Sequence, residues 1–277
     1  MLGLGAVISP KAKSHVLRGS LETTIAIDSY ISIPITNILF RGNHSFSTWV
    51  KLKVSNIDTT NIGYKHATKS ARQEYFLTLY GQDFSDPGTI LFTQRSGLGL
   101  SRKSGLSGIS KSDSRSSKWC NIVVTTQSTA GGNTTDTKIY INGIQGSSQA
   151  STAMTAAQKE DFAPTSAFIF GGLNFSAGST VNHTSPNSIR VSSFSAWSRT
   201  LAPSEITTIY KGGRGRKLHR NIGDYTSSND LKLDYNFNSV SQDGSYKSTG
   251  SVAEVAVAKN CIFTSDHPSS STGRLQG

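Results

Sequence analysis

At 277 residues the chain can bury one large core or two small ones; 35% hydrophobic residues, 26 glycines and many Ser and Thr suit strands joined by turns and exclude a helical bundle. The formal net charge of +11 favours polyanionic neighbours, but Lys and Arg spread along the chain instead of forming one aromatic-interleaved stripe, which points to a solvated basic surface and away from direct nucleic-acid binding. No apolar stretch reaches the roughly 20 residues of a membrane helix.

Residues 1–20 read as an arm, apolar at Leu2 and Leu4 and basic at Lys11, Lys13 and Arg18. Such an arm has no core of its own and orders only by docking on something. No basic residue precedes its apolar run, so the expectation is a soluble protein that reaches its destination without classical secretion.

Ile25, Ile27, Tyr30, Ile31 and Ile33 around the Asp28-Ser29 turn predict two short strands, and Phe46 to Leu52 alternates apolar with polar residues. Tyr75–Gly81 and Ile90–Phe92 follow as strands. Residues 94–118, rich in Gly and Ser and basic, fit either a weak strand pair or a surface loop. Lys118–Thr126 is a strongly apolar strand, and Thr137–Ile141 runs into Asn142-Gly143, a strong hairpin signal. Phe168–Phe170 is a further strand. In Asn187–Tyr210, Ile189, Val191, Ser193, Ser195 and Trp197 share one face of a strand; Pro203 opens a short helix whose Ile206, Ile209 and Tyr210 share a face, and Gly212-Gly213 ends it. Residues 212–222 form a basic linker whose simpler reading is a solvated connector. Its sharper reading is a strip that grips a neighbouring acidic subunit or a phosphate backbone through Arg214, Arg216, Lys217 and Arg220. Leu231 to Phe237, Ala253–Ala258 and Cys261–Phe263 predict strands in a C-terminal extension, 223–277.

Four of these segments, taken in order, resemble one family. They are Tyr30-Ile31-Ser32-Ile33-Pro34 with Phe46-Ser47-Thr48-Trp49-Val50; Trp119 to Thr125 with Ile139-Tyr140-Ile141-Asn142-Gly143; Phe168 to Gly172; and Ser198-Arg199-Thr200-Leu201 with Glu205-Ile206 and Tyr210. The pattern is similar to laminin-G-like domains of the concanavalin A-like lectin/glucanase superfamily. Ser188 and Arg190 replace the Asp-Glu usual before the last strand. The resemblance implies an all-β, jelly-roll β-sandwich of two antiparallel sheets over residues 21–211, with the N-terminal arm and C-terminal β extension attached. It also implies that Trp49 and Trp119 are core residues, with Trp197 closing the apolar face of its strand. Leu231…Tyr235-Asn236-Phe237…Asp266-His267-Pro268 and the Met1–Gly5 opening are similar to segments of laminin-G-like structural proteins of tailed marine phages.

A glucanase of this fold needs carboxylates held together, as Glu-x-Asp-x-Glu on a strand would hold them. That pattern is absent. Asp230 and Asp234 share a predicted strand face with Lys232 between them, which reads as the wet side of a half-buried strand. Asp83 with Asp86, and Glu160 with Asp161, fall in predicted loops. No nucleophile elbow, Walker loop or His-Glu-x-x-His helix occurs. The six histidines, His15, His44, His66, His183, His219 and His267, read as surface residues with no obvious orienting carboxylate nearby in sequence. The resemblance makes calcium conceivable at Asp83, Asp86 and Asp136, but the positive charge argues against a tight site, so no cofactor is expected. Cys120 and Cys261 are expected as two buried thiols, not a disulfide. The sequons at Asn43, Asn133, Asn174 and Asn182 read as Ser/Thr-rich turns. Tyr64, Tyr80, Phe84 and Phe175, in or near loops, are the aromatic candidates for sugar stacking.

Two functional expectations follow. The first is a non-catalytic virion component, such as a head-decoration, tail or fibre protein, located in the particle and docking through its arm and tail on virion proteins or copies of itself. The alternative is a lectin-like module that binds host or surface glycans. A glycoside hydrolase is the least supported.

Overall fold

The computed structural model describes residues 20–23, 29–34, 43–52, 60–66, 73–79, 88–95, 100–106, 118–128, 135–146, 167–171, 189–212, 217–237, 241, 243–264 and 268. Two antiparallel sheets stack face to face. The front sheet runs β10(Ile144–Gln145), β9(Thr135–Ile141), β8(Lys118–Ser128), β3(His44–Leu52), β12(Arg190–Trp197), β1(Ser20–Thr23) and β16(Cys261–Thr264), with β13(Leu231–Asn236) also on β12. The back sheet runs β14(Ser245–Lys247), β15(Val255–Lys259), β2(Tyr30–Ile33), β11(Phe168–Phe170), β4(Thr60–His66), β5(Gln73–Leu79), β6(Thr89–Arg95) and β7(Leu100–Leu106). β12 shares one edge between two partners: its start pairs with β1 and its end with β13. The strands after residue 223 therefore complete both sheets. The 94–118 stretch, open between strand and loop in the sequence, supplies β7, paired with β6 from Thr89↔Leu106 to Arg95↔Leu100.

Between the sheets lies an aromatic core. Phe46, Phe92, Phe168, Phe170 and Phe194 are fully buried, with ring centroids 5.0–6.0 Å apart. Each such side chain contributes about 1.5–3 kcal/mol of transfer free energy. The Asn-Gly hairpin forms as the sequence predicts. Asn142 (φ 52°) and Gly143 (φ 78°) both take the left-handed region that a two-residue turn between twisted strands requires.

Trp49 and Trp119, expected as core residues, do not lie between the two sheets, and neither does Trp197. On β3 and β8 the residues in the inter-sheet core are Phe46, Val50, Cys120, Ile122 and Val124. Trp49 and Trp119 sit at the alternate positions and so lie on the outer face of the front sheet. Trp197 arrives there by another route. The pairing of β12 with β3 shifts between Val191 and Ser193, and the extra residue reverses the phase of the strand. Ile189 and Val191 face the core before the shift, and Phe194 and Ala196 face it after. Trp197 is left on the other side, fully buried in a second cluster.

That second cluster lies against the outer face of the front sheet, where Val123, Tyr140 and Trp197 meet Leu201, Ile206, Ile209, Leu218, Tyr225 and Leu231. It is roofed by α1(Pro203–Gly212) and the segment 217–231. Pro203 is well placed at the helix start, where its missing N–H costs nothing, and Tyr210 stacks on Trp49 at 5.9 Å. The linker is thus not simply a solvated connector. Lys217 and Arg220 are exposed, but Leu218 between them and Tyr225 beyond them are buried, because this face of the sheet is apolar and must be covered.

Asp230 and Asp234 do not form the wet side of a strand either. Asp230 ends a 3-10 turn, Ser228–Asp230, and Asp234 is only 4% exposed. The register of β12 on β13 jumps from Ala196↔Leu233 to Trp197↔Leu231, so Leu231 turns to the outer cluster while Leu233, Tyr235 and Phe237 fill the inner one. Asp234 is sealed beneath the C-terminal segment instead of facing water.

Candidate functional site

An open groove of about 350 Å³ lies on the outer face of the front sheet. Its floor comes from β8 and β9, where Thr125 stands opposite Lys138 and Val123 opposite Tyr140. Gln127 and Asn43 extend the floor at one end, and residues 199–203 form a wall leading into α1. Period-two alternation puts Thr125 with Gln127, and Lys138 with Tyr140, on this face of their strands.

The wall is pinned by hydrogen bonds whose partners are distant in sequence. Ser45 Oγ donates to the Arg199 carbonyl at 2.9 Å and accepts the Leu201 N–H at 3.0 Å. Thr200 Oγ1 donates to the Thr126 carbonyl at 2.7 Å. Behind the wall, Glu205 Oε2 accepts the Ala202 N–H at 2.9 Å, the reciprocal half of a capping box at the third helical position. Glu205 Oε1 accepts from the Thr226 N–H at 3.0 Å and from the Ser227 hydroxyl. Burial works to raise the pKa of this carboxyl, but the bonds from Ser227, Ala202 and Thr226 and the charge of Arg199 outweigh it and hold the group below its ordinary value.

Arg199, Lys138, Gln127 and Asn43 line the groove together with Tyr140, whose hydroxyl donates to Gln145 Oε1 at 3.2 Å. Arg199 Nη1 lies 3.7 Å from Asp230 Oδ2, with both side chains about 40% exposed. Polar donors over an apolar-backed floor suit a hydroxylated ligand of small-molecule size.

A second polar cluster sits under the C-terminal segment. Asp234 Oδ1 accepts from Ser195 Oγ at 2.8 Å, and Oδ2 lies 3.3 Å from His219 Nε2 and 3.2 Å from Thr249 Oγ1. Burial pushes the Asp234 carboxyl up, partly opposed by Ser195, His219 and Thr249. One histidine, His44, departs from the surface reading, while His219 is exposed as expected. His219 has an orienting carboxylate, brought by the fold and not by sequence proximity, and His44 is buried at the start of β3. His66 lies on β4; His15, His183 and His267 fall outside the described residues.

The other sequence candidates separate clearly. Tyr64 lies on β4, opposite Phe76 and Ile169 in the back sheet and away from the groove. Tyr80, Phe84 and Phe175 fall outside the described residues, as do Leu2, Leu4, Lys11, Lys13, Arg18, Arg214 and Arg216, the calcium candidates Asp83 and Asp86, and the sequons at Asn133, Asn174 and Asn182. Asp136 is on β9 opposite Gln127. Among the described residues no group of three or more potential ligands could hold a metal ion. Cys120 and Cys261 are thiols, not a disulfide, but only Cys120 is buried; Cys261 is half-buried. Sequence reasoning missed Thr125, Gln127, Lys138 and Tyr140 as site residues, although the alternation along their strands marks each pair as same-faced.

A search of curated proteins returns no sequence match. Among solved structures, one similar chain is a candidate carbohydrate-binding protein from Bacteroides ovatus, with TM-score 0.55 and 14% identity over 91% of this chain and 61% of that one. The binding domain of botulinum neurotoxin DC in complex with SialylT aligns with TM-score 0.44 and 14% identity, over 83% of this chain and 50% of its own. The CBM40 of Ruminococcus gnavus IT-sialidase, bound to α2,3-sialyllactose, aligns with TM-score 0.43 and 13% identity, over 69% of this chain and 95% of its own. The chain thus spans less than two thirds of the first two. At 14% identity the likeness to the Bacteroides ovatus protein shows the fold alone. The sequence model of the Laminin_G_3 family matches residues 25–207, and the chain belongs to that family of the concanavalin A-like lectin/glucanases superfamily.

Proposed function

We propose that this chain is a non-catalytic carbohydrate-binding module whose ligand lies in the groove between β8, β9 and residues 199–203. The observation that carries the reading is the groove itself: amides, a hydroxyl and cations over an apolar-backed floor, on the fold of a lectin-containing superfamily. The nearby acids whose side chains are described have structural work. Glu205 caps the helix, Asp234 is bonded to Ser195, and Asp230 faces Arg199. None of these is paired with another acid across a sugar-sized gap, as hydrolysis requires. The test is a glycan array probed with the labelled chain, alongside a reducing-sugar assay on the glycans it retains. Retention without released sugar supports the reading; release of sugar, or retention of nothing, overturns it.

One observation favours a second reading, a virion assembly subunit. Val255 and Val257 on β15 are 40% and 43% exposed, and Ile262 on β16 is 56% exposed. Apolar side chains shown to water on consecutive strands suit contact with a neighbour. Aspartate at Val257 and at Ile262 abolishes co-assembly under this reading and leaves it unchanged if the module acts alone.

A further inference from the structure

We infer that the groove selects an acidic oligosaccharide, one bearing carboxylate or sulfate groups, through Arg199 and Lys138. The inference rests on the carbohydrate-binding reading above and adds the ligand's charge.

The lining composition is the first argument. None of the ten lining residues is acidic, and two are permanent cations. Recognition of a neutral sugar uses acceptors as well as donors, because each sugar hydroxyl offers both. Here the acceptors are confined to the amides and hydroxyls, while the charge is all of one sign.

The second argument concerns which donors remain for a ligand. The wall's own polar groups are spent within the protein. The Leu201 N–H is held by Ser45, the Ala202 N–H by Glu205, and the Thr200 hydroxyl by the Thr126 carbonyl. The Leu201 and Ala202 amides are therefore already occupied. The charged residue the wall contributes to the groove lining is Arg199, whose backbone is fixed by the Ser45 bond to its carbonyl. A guanidinium fork matches carboxylate and sulfate oxygens in pairs.

Availability is the third. Arg199 faces Asp230 at 3.7 Å, longer than a hydrogen bond, with side-chain exposures of 43% and 39%. A pair so exposed contributes about 0–1 kcal/mol, so an incoming anion displaces it at little cost. Lys138, on β9 opposite Thr125, lines the floor and brings a second cation to the groove. The chain's net charge of +11 adds long-range attraction for any polyanion. Nucleic acid is the less suited polyanion, because Tyr140, the aromatic of the groove, is 3% exposed and offers no face for a base to stack on.

The test is calorimetric titration of the full chain with four probes of matched length: dextran, dextran sulfate, oligogalacturonate and its methyl ester, with oligodeoxythymidylate as the nucleic-acid comparison. The inference predicts binding of one or both anionic glycans at least tenfold tighter than their neutral counterparts. Sulfate and carboxylate specificity are separated by the two pairs. Arg199→Gln and Lys138→Gln each weaken the anionic ligand by about tenfold, the scale of one charge-assisted hydrogen bond, with melting temperatures unchanged. Lys217→Gln and Arg220→Gln, exposed and outside the groove lining, leave affinity unchanged. Equal binding of neutral and anionic glycans overturns the charge selectivity and leaves the carbohydrate reading standing. Binding of no glycan overturns the carbohydrate reading itself. Equal losses in the Lys217 and Arg220 variants, or tighter binding of oligodeoxythymidylate, overturn the site in favour of diffuse charge or nucleic acid.

Discussion

The indole N–H of Trp197 donates to the Tyr225 hydroxyl at 2.9 Å, and that hydroxyl donates onward to the Leu218 carbonyl at 2.9 Å. Trp197 and Tyr225 are both fully buried, so the relay ties the end of β12 to the segment that roofs the outer cluster. Tyr225→Phe removes the acceptor and leaves the indole N–H unsatisfied where water cannot reach it. The expected cost is about 1–3 kcal/mol, read as a lower denaturant midpoint with an unchanged m-value.

Glu205 makes stability depend on acid in a predictable direction. Its folded pKa lies below the ordinary value of 4.5, so the carboxylate's contribution is complete above that value and is lost as pH falls through the folded pKa. Glu205→Gln keeps the shape and removes the charge. The variant is expected to lose about 1.5–3 kcal/mol at pH 7, the range for hydrogen bonds to a charged group. Its deficit relative to the parent should shrink as pH is lowered below 4.5, as followed by urea unfolding across that range.

Gly171 closes β11 with φ 86°, and an added Cβ would lie 2.5 Å from Thr23 Cγ2 on β1. Gly171→Ala therefore meets both left-handed strain and a side chain of the facing sheet. A loss of about 1–3 kcal/mol is expected, and Thr23→Ser should recover part of it by removing that methyl.

Both thiols are raised by burial, Cys120 to about 12 and Cys261 to about 11, the latter partly opposed by Ser29; the Cys261 S–H donates to the Tyr30 and Lys259 carbonyls. Thiolate is the reactive form. A chromogenic disulfide reagent at pH 8 should label neither within minutes in the native protein and both after unfolding; rapid native labelling of Cys120 contradicts its burial.

How far the sequence revealed the structure depended on whether a signal was local. The Asn142-Gly143 hairpin, the Pro203 helix and the alternation of β3 and β8 are carried by residues within a few positions of one another, and they were legible. The bulges after Val191 and beside Lys232 were not, because one extra residue in a strand changes no composition but reverses every side chain beyond it. That reversal moved Trp197 to the outer cluster. Likewise nothing adjacent to Asp234 announces His219 or Thr249, and the groove gathers residues from 43 to 203. Its turn, Ser198 to Leu201, was visible as a family feature, but the strands that face it were not visible as a floor.

The most direct measurement fills the groove and asks whether sugar binding disappears. Gln127 is exposed at one end of the floor, so Gln127→Trp occludes the cavity while the fold is retained, which an unchanged melting temperature verifies. On the same glycan array, the account predicts that the parent retains a defined set of glycans and that Gln127→Trp retains none of them. Undiminished retention by the occluded variant would contradict it.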